Sequence, residues 1–454
     1  MKKINFLMVA VFFFGVNCFA QNESKFKSLK DQIAKNDVAT QHPKKGIAPS
    51  TWIDRGKIFH DAYNVNVELL SVGLSPEILK TLWIGKEPKE VLSFEEKGVK
   101  KETQVYSQIK LNFEGGLLFT WEETETVVNN PLAEAVKAYQ KATSLDEKGK
   151  NVKKINEAYK SINNNLETKM LNEYYLYLSN EIKNKSKIMD AYQTALQRIE
   201  VSNLLGFADT TYYYYAGYMA YVQSEANNNL WKESRQYLEK ALSLGYKEIG
   251  ENRGQIYSLL YTSCLVTGDS IQALKYAQTG FEKYPNHEGL MFSLINFYLS
   301  RGENHKTLEY LEQAVAKDPK NQEVVFARGR VLEELGEFEK SHAAYDAAIA
   351  LGPGTKYFDS YYNKAILYHN TAVELMKEAD KERVQSIYDA KMEKVNEEFA
   401  KTIPYLEKAL EIKPDNMEAM DVLRNMYFRL RNKNPEYSAK YNTLSKKMGK
   451  EIVE

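Results

Sequence analysis

The sequence predicts an all-α fold, an α-solenoid of antiparallel helix pairs, with a small α/β (β-hairpin) insertion in its first repeat. Three observations predict it. Gly268, Gly302 and Gly336 recur at a 34-residue step. Gly280, Ala314 and Ala348 recur in the same register, as do Pro285, Pro319 and Pro353. The turn Gly supplies φ > 0, the small residue lets two helices approach, and the Pro ends the second helix. The third observation is an alternating stretch, Glu102–Glu123. Val105, Ser107, Ile109, Leu111 and Phe113 fall on one face, and Leu117, Phe119 and Trp121 on one face of a second run, with Glu114-Gly115-Gly116 as the turn.

This period and its residue types resemble the tetratricopeptide repeat (TPR) family. The resemblance implies a right-handed solenoid whose first helices line a concave side. Residues 254–353 hold three regular repeats. Trp52, Gly56 and Phe59 match the first half of another repeat, and Ala135, Tyr139 and Ala142 its second half. The first repeat, 49–146, is therefore split by an insertion at about 64–130, roughly 65 residues longer than the uninterrupted unit.

At the N-terminus, Lys2 and Lys3 precede an apolar run, Ile4–Val16, too short to span a bilayer, and Cys18-Phe19-Ala20 ends it. This reads as a signal peptide, 1–20, cleaved after Ala20, so the protein is expected to be exported to the periplasm. The alternative is a lipoprotein acylated on Cys18, against which Asn17 stands where a small residue is usual. Residues 21–48 read as a polar leader, a loose segment or weak helix. Ser50 is the expected N-cap of the next helix. Ser75-Pro76 opens a short helix through Trp83. The order VGLSPEILKTLWIGKEP … VYSQIKLNFEGGLLFTWEE resembles small α/β lipoproteins of outer-membrane assembly. Residues 147–253 form degenerate helical units. Four consecutive tyrosines, 212–215, cannot all face one core, so some must line the surface. Within 354–416, about 27 extra residues relative to the uninterrupted unit form one elongated helical hairpin, expected to project from the array. Its tip, Lys377–Arg383, is charged apart from Ala379, and Pro404 sits in its returning helix. Residues 417–454 close the array as capping helices. The run YYNKAILYHNTAVELMKEAD … FAKTIPYLEKALEIKPDNMEAMDVLRNMYFRL resembles exported TPR proteins of Bacteroidota. That resemblance implies an envelope protein without enzymatic activity.

Lys and Arg total 61 and Asp and Glu total 61, so no global basic field exists to favour nucleic acid or anionic lipid. No nucleotide-binding, nucleophile-elbow or zinc-protease motif is present, so no catalytic, cofactor or metal residue is assigned. The paired carboxylates Glu333-Glu334 and Glu397-Glu398 read as solvated charge without a cleft around them. Cys264 reads as a small buried core residue, and His342 and His369 as isolated histidines. Asp209-Thr210-Thr211 and Asp269-Ser270-Ile271 resemble the O-glycosylation acceptor of Bacteroidota envelope proteins; ordinary capping explains them equally well.

The functional expectation is therefore a non-enzymatic scaffold that binds a protein or peptide through the groove. Its candidate contacts are Gln255, Ser258, Thr262, Phe292, Asn296, Ser300, Phe326, Arg330 and Glu333. Phe292 and Phe326, 34 apart, are expected to face solvent as anchors. The TPR clamp for a C-terminal carboxylate, built of paired Lys and Asn, is not reproduced at these slots. The alternatives are a nutrient- or glycan-binding envelope lipoprotein, with an aromatic platform, and an accessory of outer-membrane assembly or secretion.

Overall fold

The computed structural model describes residues 23–82, 87–96, 98–179, 185–248 and 253–452. The expected signal segment with Cys18, and Trp83, lie outside them. Among the described residues the chain forms 18 helices in paired packing and one four-stranded antiparallel sheet. It divides into two compact units, Met1–Asp269 and Ser270–Glu454.

The first unit opens with α1 (Glu23–Gln41), the helical one of the two expectations, loose segment or weak helix, for the polar leader. Phe26 and Leu29 fix it by packing with Ala62 and Val127. Helix α2 (Pro49–Val67) starts at Pro49 with Ala48 as N-cap, not at Ser50, because proline at the first helical position needs no N–H partner. It pairs with α4 (Pro131–Leu145), so the interrupted repeat closes in space. Gly56 makes that approach possible: a Cβ there would stand 2.7 Å from the Tyr139 ring. The chain continues through α5 (Val152–Ser179) and α6 (Lys185–Leu204), α7 (Thr210–Gln223) and α8 (Asn229–Ser243), then α9 (Gln255–Val266).

Between α2 and α4 lie α3 (Pro76–Leu82) and a meander, β1 (Glu90–Glu96), β2 (Val99–Val105), β3 (Ile109–Glu114) and β4 (Leu117–Glu123), in spatial order β1-β2-β3-β4. The sequence reading recognised only the last hairpin. Ile109, Leu111 and Phe113 are buried as the alternation requires. In β4 the alternation fails. Phe113 pairs with Leu118 and Asn112 with Thr120, leaving Phe119 as the extra residue of a β-bulge. Leu118, Thr120 and Trp121 are buried, Leu117 is exposed, and Phe119 turns toward Tyr175, ring centroids 5.4 Å apart. The sheet's apolar face shares one core with the helices, including Ile53, Phe59, Tyr139 and Leu166.

The two sheet edges are treated differently. On the β4 edge, Leu118 N–H donates to Leu74 O at 2.7 Å, and Gly73 N–H donates to Leu118 O at 2.8 Å. Further along, the side-chain amide of Asn172 on α5 acts as a surrogate strand. Trp121 N–H donates to its Oδ1, and its Nδ2 donates to Trp121 O, both at 2.9 Å. β1 forms the other edge.

The second unit contains α10 (Ser270–Lys283), α11 (Glu288–Ser300), α12 (Asn304–Lys317), α13 (Gln322–Glu334), α14 (Phe338–Ala350), α15 (Tyr357–Ala379), α16 (Gln385–Ile412), α17 (Met417–Leu430) and α18 (Glu436–Lys447). The turns of two regular pairs place Gly302 at φ 66° and Gly336 at φ 75°, where an L side chain is strained. Helix α16 runs unbroken through Pro404. The long hairpin α15–α16 does not stand free along its length. Ala372, Val395 and Phe399 share a core with Leu423 and Met426 of α17. Arg429 of α17 lies over the Phe399 ring at 4.4 Å and donates from Nε to Asn396. Within the charged tip, Ala379 is fully buried.

Candidate functional site

Helices α13 and α15 are first helices of successive pairs and pack side by side. Their lengths differ: α13 has 13 residues and α15 has 23. Residues of α15 from Asn363 to Glu378 line a cleft together with the C-terminal end of α13. Side chains spaced by three and four residues on α15 share one face. Asn363, Leu367, Asn370, Glu374 and Lys377 follow that spacing and wall this cleft of about 860 Å³. Arg330, Glu333 and Glu334 form its α13 side, and Phe338 opens α14 beside them.

The cleft is acidic. Glu333, Glu334, Glu374 and Glu378 face it against Arg330 and Lys377. Burial pushes the Glu333 carboxyl above its ordinary range, although Tyr345 OH donates to it at 2.9 Å and Arg330 lies close. Glu334 accepts from Asn304 at 2.9 Å and lies 3.8 Å from Arg330. Glu374 pairs with Lys377, and Glu378 with Lys381, whose hydrogen bond lowers the Glu378 pKa. The expectation that Glu333-Glu334 has no cleft around it is thus corrected. Glu398, by contrast, pairs with Lys401 across one helical turn.

The sequence-assigned contacts scatter. Arg330 is exposed and Glu333 half-buried, and these two reach the cleft. Asn296 and Ser300 are exposed on α11 but do not line it; the Ser300 hydroxyl donates to Phe297 O of its own helix. Gln255, Ser258 and Thr262 belong to α9 of the first unit, all half-buried, with the Thr262 hydroxyl donating to Ser258 O. Phe326 is not a solvent-facing anchor. It is 8% exposed and packs with Val325, Tyr345, Ala348 and Leu367, because the next first helix covers its slot. Phe292 is half-buried against the cluster of Met291, Ile295 and Val324. The α15 residues that sequence reasoning missed lie beyond Pro353. The repeat register slips there, so extrapolation by 34 from Arg330 reaches buried Lys364 instead of Asn363.

In the first unit, the tyrosines of α5 and α7 assemble into a bank. Tyr212 and Tyr213 are buried, while Tyr214 and Tyr215 are half-buried. Tyr214 stacks on Tyr246 at 4.7 Å and on Tyr218 at 6.3 Å, and Tyr218 meets Tyr174 edge-on at 6.2 Å. Burial raises the hydroxyl pKa of Tyr174 and Tyr214, so both stay protonated donors. Cys264 is fully buried and burial pushes its thiol up to about 11. Asp209 and Asp269 of the two acceptor-like motifs have structural roles. Asp209 caps α7 through Thr211 N–H and pairs with Arg198 at 3.2 Å, and Asp269 pairs with Arg235 at 2.9 Å.

No family model matches the chain, and no curated protein matches it. Among solved structures, it is similar to YrrB, described as a TPR protein with an unusual peptide-binding site, at 19% identity and a TM-score of 0.36, covering 51% of this chain and 97% of that one. It is also similar to MamA of AMB-1, at 15% identity and a TM-score of 0.33, covering 45% of this chain and 92% of that one. A second MamA structure shares 20% identity at a TM-score of 0.33.

Proposed function

We propose that this protein is a non-enzymatic scaffold of the cell envelope, exported by its signal peptide, that seats a basic segment of a protein partner in the α13–α15 cleft. One observation carries the reading. The cleft combines apolar Phe338, Leu367 and Leu375 with four carboxylates, of which Glu334, Glu374 and Glu378 meet Arg330, Lys377 and Lys381 and Glu333 has no cation in ion-pair distance among the described residues. A peptide presenting one aliphatic or aromatic side chain flanked by Lys or Arg matches both features. Exposed Asn370 offers its side-chain amide to the peptide backbone, while Asn363 and Thr371 already donate to Asp359 O and Leu367 O of their own helix. A photoreactive residue replacing exposed Asn370 in the full chain tests this. The expected result is a discrete envelope crosslink that falls at least tenfold with Glu374→Lys and Glu378→Lys; a crosslink indifferent to that pair overturns the reading.

A second reading is favoured by the tyrosine bank. Stacked aromatic rings with hydroxyl donors suit the apolar faces and rim hydroxyls of a sugar, as a nutrient-binding lipoprotein requires. Mass spectrometry of the mature N-terminus separates the two. A chain beginning at Gln21 fits the soluble scaffold, and an acylated Cys18 fits the lipoprotein.

A further inference from the structure

We propose that the open edge of β1 receives an extended strand from a second protein, with apolar side chains bracketed by two basic residues five positions apart. This surface is separate from the α13–α15 cleft and does not depend on it.

Edge strands expose unpaired N–H and C=O groups, and proteins normally blunt them with bulges, prolines, short length or charges pointing along the edge. The β4 edge is blunted by Gly73, Leu74 and Asn172. The β1 edge is not. It is seven residues long, contains no proline, and pairs with β2 in unbroken register from Glu90–Val105 to Glu96–Val99. Its inner edge is thus fully used, and among the described residues no strand pairs with its outer edge. Val91 and Leu92 are each 50% exposed and Phe94 is 57% exposed. Alternation places Leu92 and Phe94 on one face and Val91 on the other. An added strand would therefore meet an apolar neighbour on both faces.

Charge complementarity selects the occupant. Glu90 and Glu95 bracket the three apolar residues, and among the described residues no ion pair engages either, whereas Glu96 is held by Lys101 at 2.6 Å. A second copy of this chain is only a partial fit. Two copies of one edge pair positions of the same parity, and the register that sets Leu92 opposite Leu92 gives Glu95 a cation, Lys89, but leaves Glu90 opposite Phe94. A foreign strand with Lys or Arg at both positions gives each carboxylate a cation across the strand pair.

The test uses the full mature chain and a fluorescein-labelled peptide, Ser-Lys-Thr-Val-Thr-Val-Lys-Ser, followed by anisotropy and amide hydrogen exchange. The expected result is saturable binding, slowed exchange confined to β1, and at least tenfold weaker affinity when alternate peptide nitrogens are methylated to abolish strand pairing. Glu90→Lys with Glu95→Lys should weaken binding at least tenfold, with an unchanged circular dichroism spectrum. A peptide carrying Glu in place of both Lys should then bind the double variant better than the native chain. Equal binding of the methylated peptide, or no protection of β1, overturns the proposal. So does a concentration-dependent dimer abolished by Leu92→Lys, which would make a second copy the occupant.

Discussion

At the scale of single residues, Gly56 leaves no room for a side chain. Any Cβ there overlaps the Tyr139 ring, and Tyr139 is itself buried beside Tyr159. Overpacking of this kind costs about 1–3 kcal/mol, so Gly56→Ala should lower the unfolding midpoint in urea by a corresponding amount. Cys264 behaves oppositely to a reactive thiol. Its buried side chain and raised pKa predict no labelling by iodoacetamide at pH 8 in the native state, and full labelling once the chain unfolds in urea. His342 carries a pH signature. Burial, and then Lys364, hold its pKa below 6.5, against smaller opposing effects of Glu339, Asp346 and Glu398. The unfolded chain therefore takes this proton first as the pH falls, and native stability drops below about pH 6.5. His342→Phe can keep the ring contact with Tyr368, 4.1 Å away. It should lessen the loss of stability below about pH 6.5 without abolishing it, because burial lowers the His60 pKa in the same direction; urea titration at each pH measures the difference.

At the scale of elements, Asn172 joins the helical array to the sheet. Replacing it with Leu leaves the N–H and C=O of Trp121 unpaired, at a cost of about 3 kcal/mol for the two groups. Urea denaturation should register that loss, and hydrogen exchange should place the loosening in β4. This junction also marks where sequence reading stops. Gly268, Gly302 and Gly336 announce helix pairs because their φ > 0 requirement is local and repeats at fixed spacing. The face of Ile109, Leu111 and Phe113 is legible for the same reason: strand alternation is a property of consecutive residues. The bulge at Phe119 is not, since one extra residue shifts pairing without changing composition. Burial of Phe326 was equally hidden, because the covering residue, Leu367, arrives from a helix whose register has slipped. Of the nine sequence-assigned contacts, Arg330 and Glu333 reach the cleft; the elongated hairpin was legible from its extra residues, but the α15 side chains that wall the cleft were not, because the repeat register slips after Pro353.

At the scale of the whole molecule, 61 acidic and 61 basic residues cancel, so binding depends on local fields. The acidic α13–α15 cleft and the acidic β1 edge predict that the full chain passes through a heparin column at physiological salt. Retention there would reveal a basic face that the balance of charges does not suggest. The sealed β4 edge carries one more consequence. A sheet with two open ends is a monomer unit for polymerisation: each added strand offers a fresh template, and growth never terminates. A sheet with a single open end can accept one guest and then stops. Asn172, with Gly73 and Leu74, is in this sense a chain terminator. Its loss reopens the Trp121 half of that edge while Leu118 stays bonded to Gly73 and Leu74, so Asn172→Leu should aggregate into thioflavin-positive material faster than the native chain on prolonged incubation.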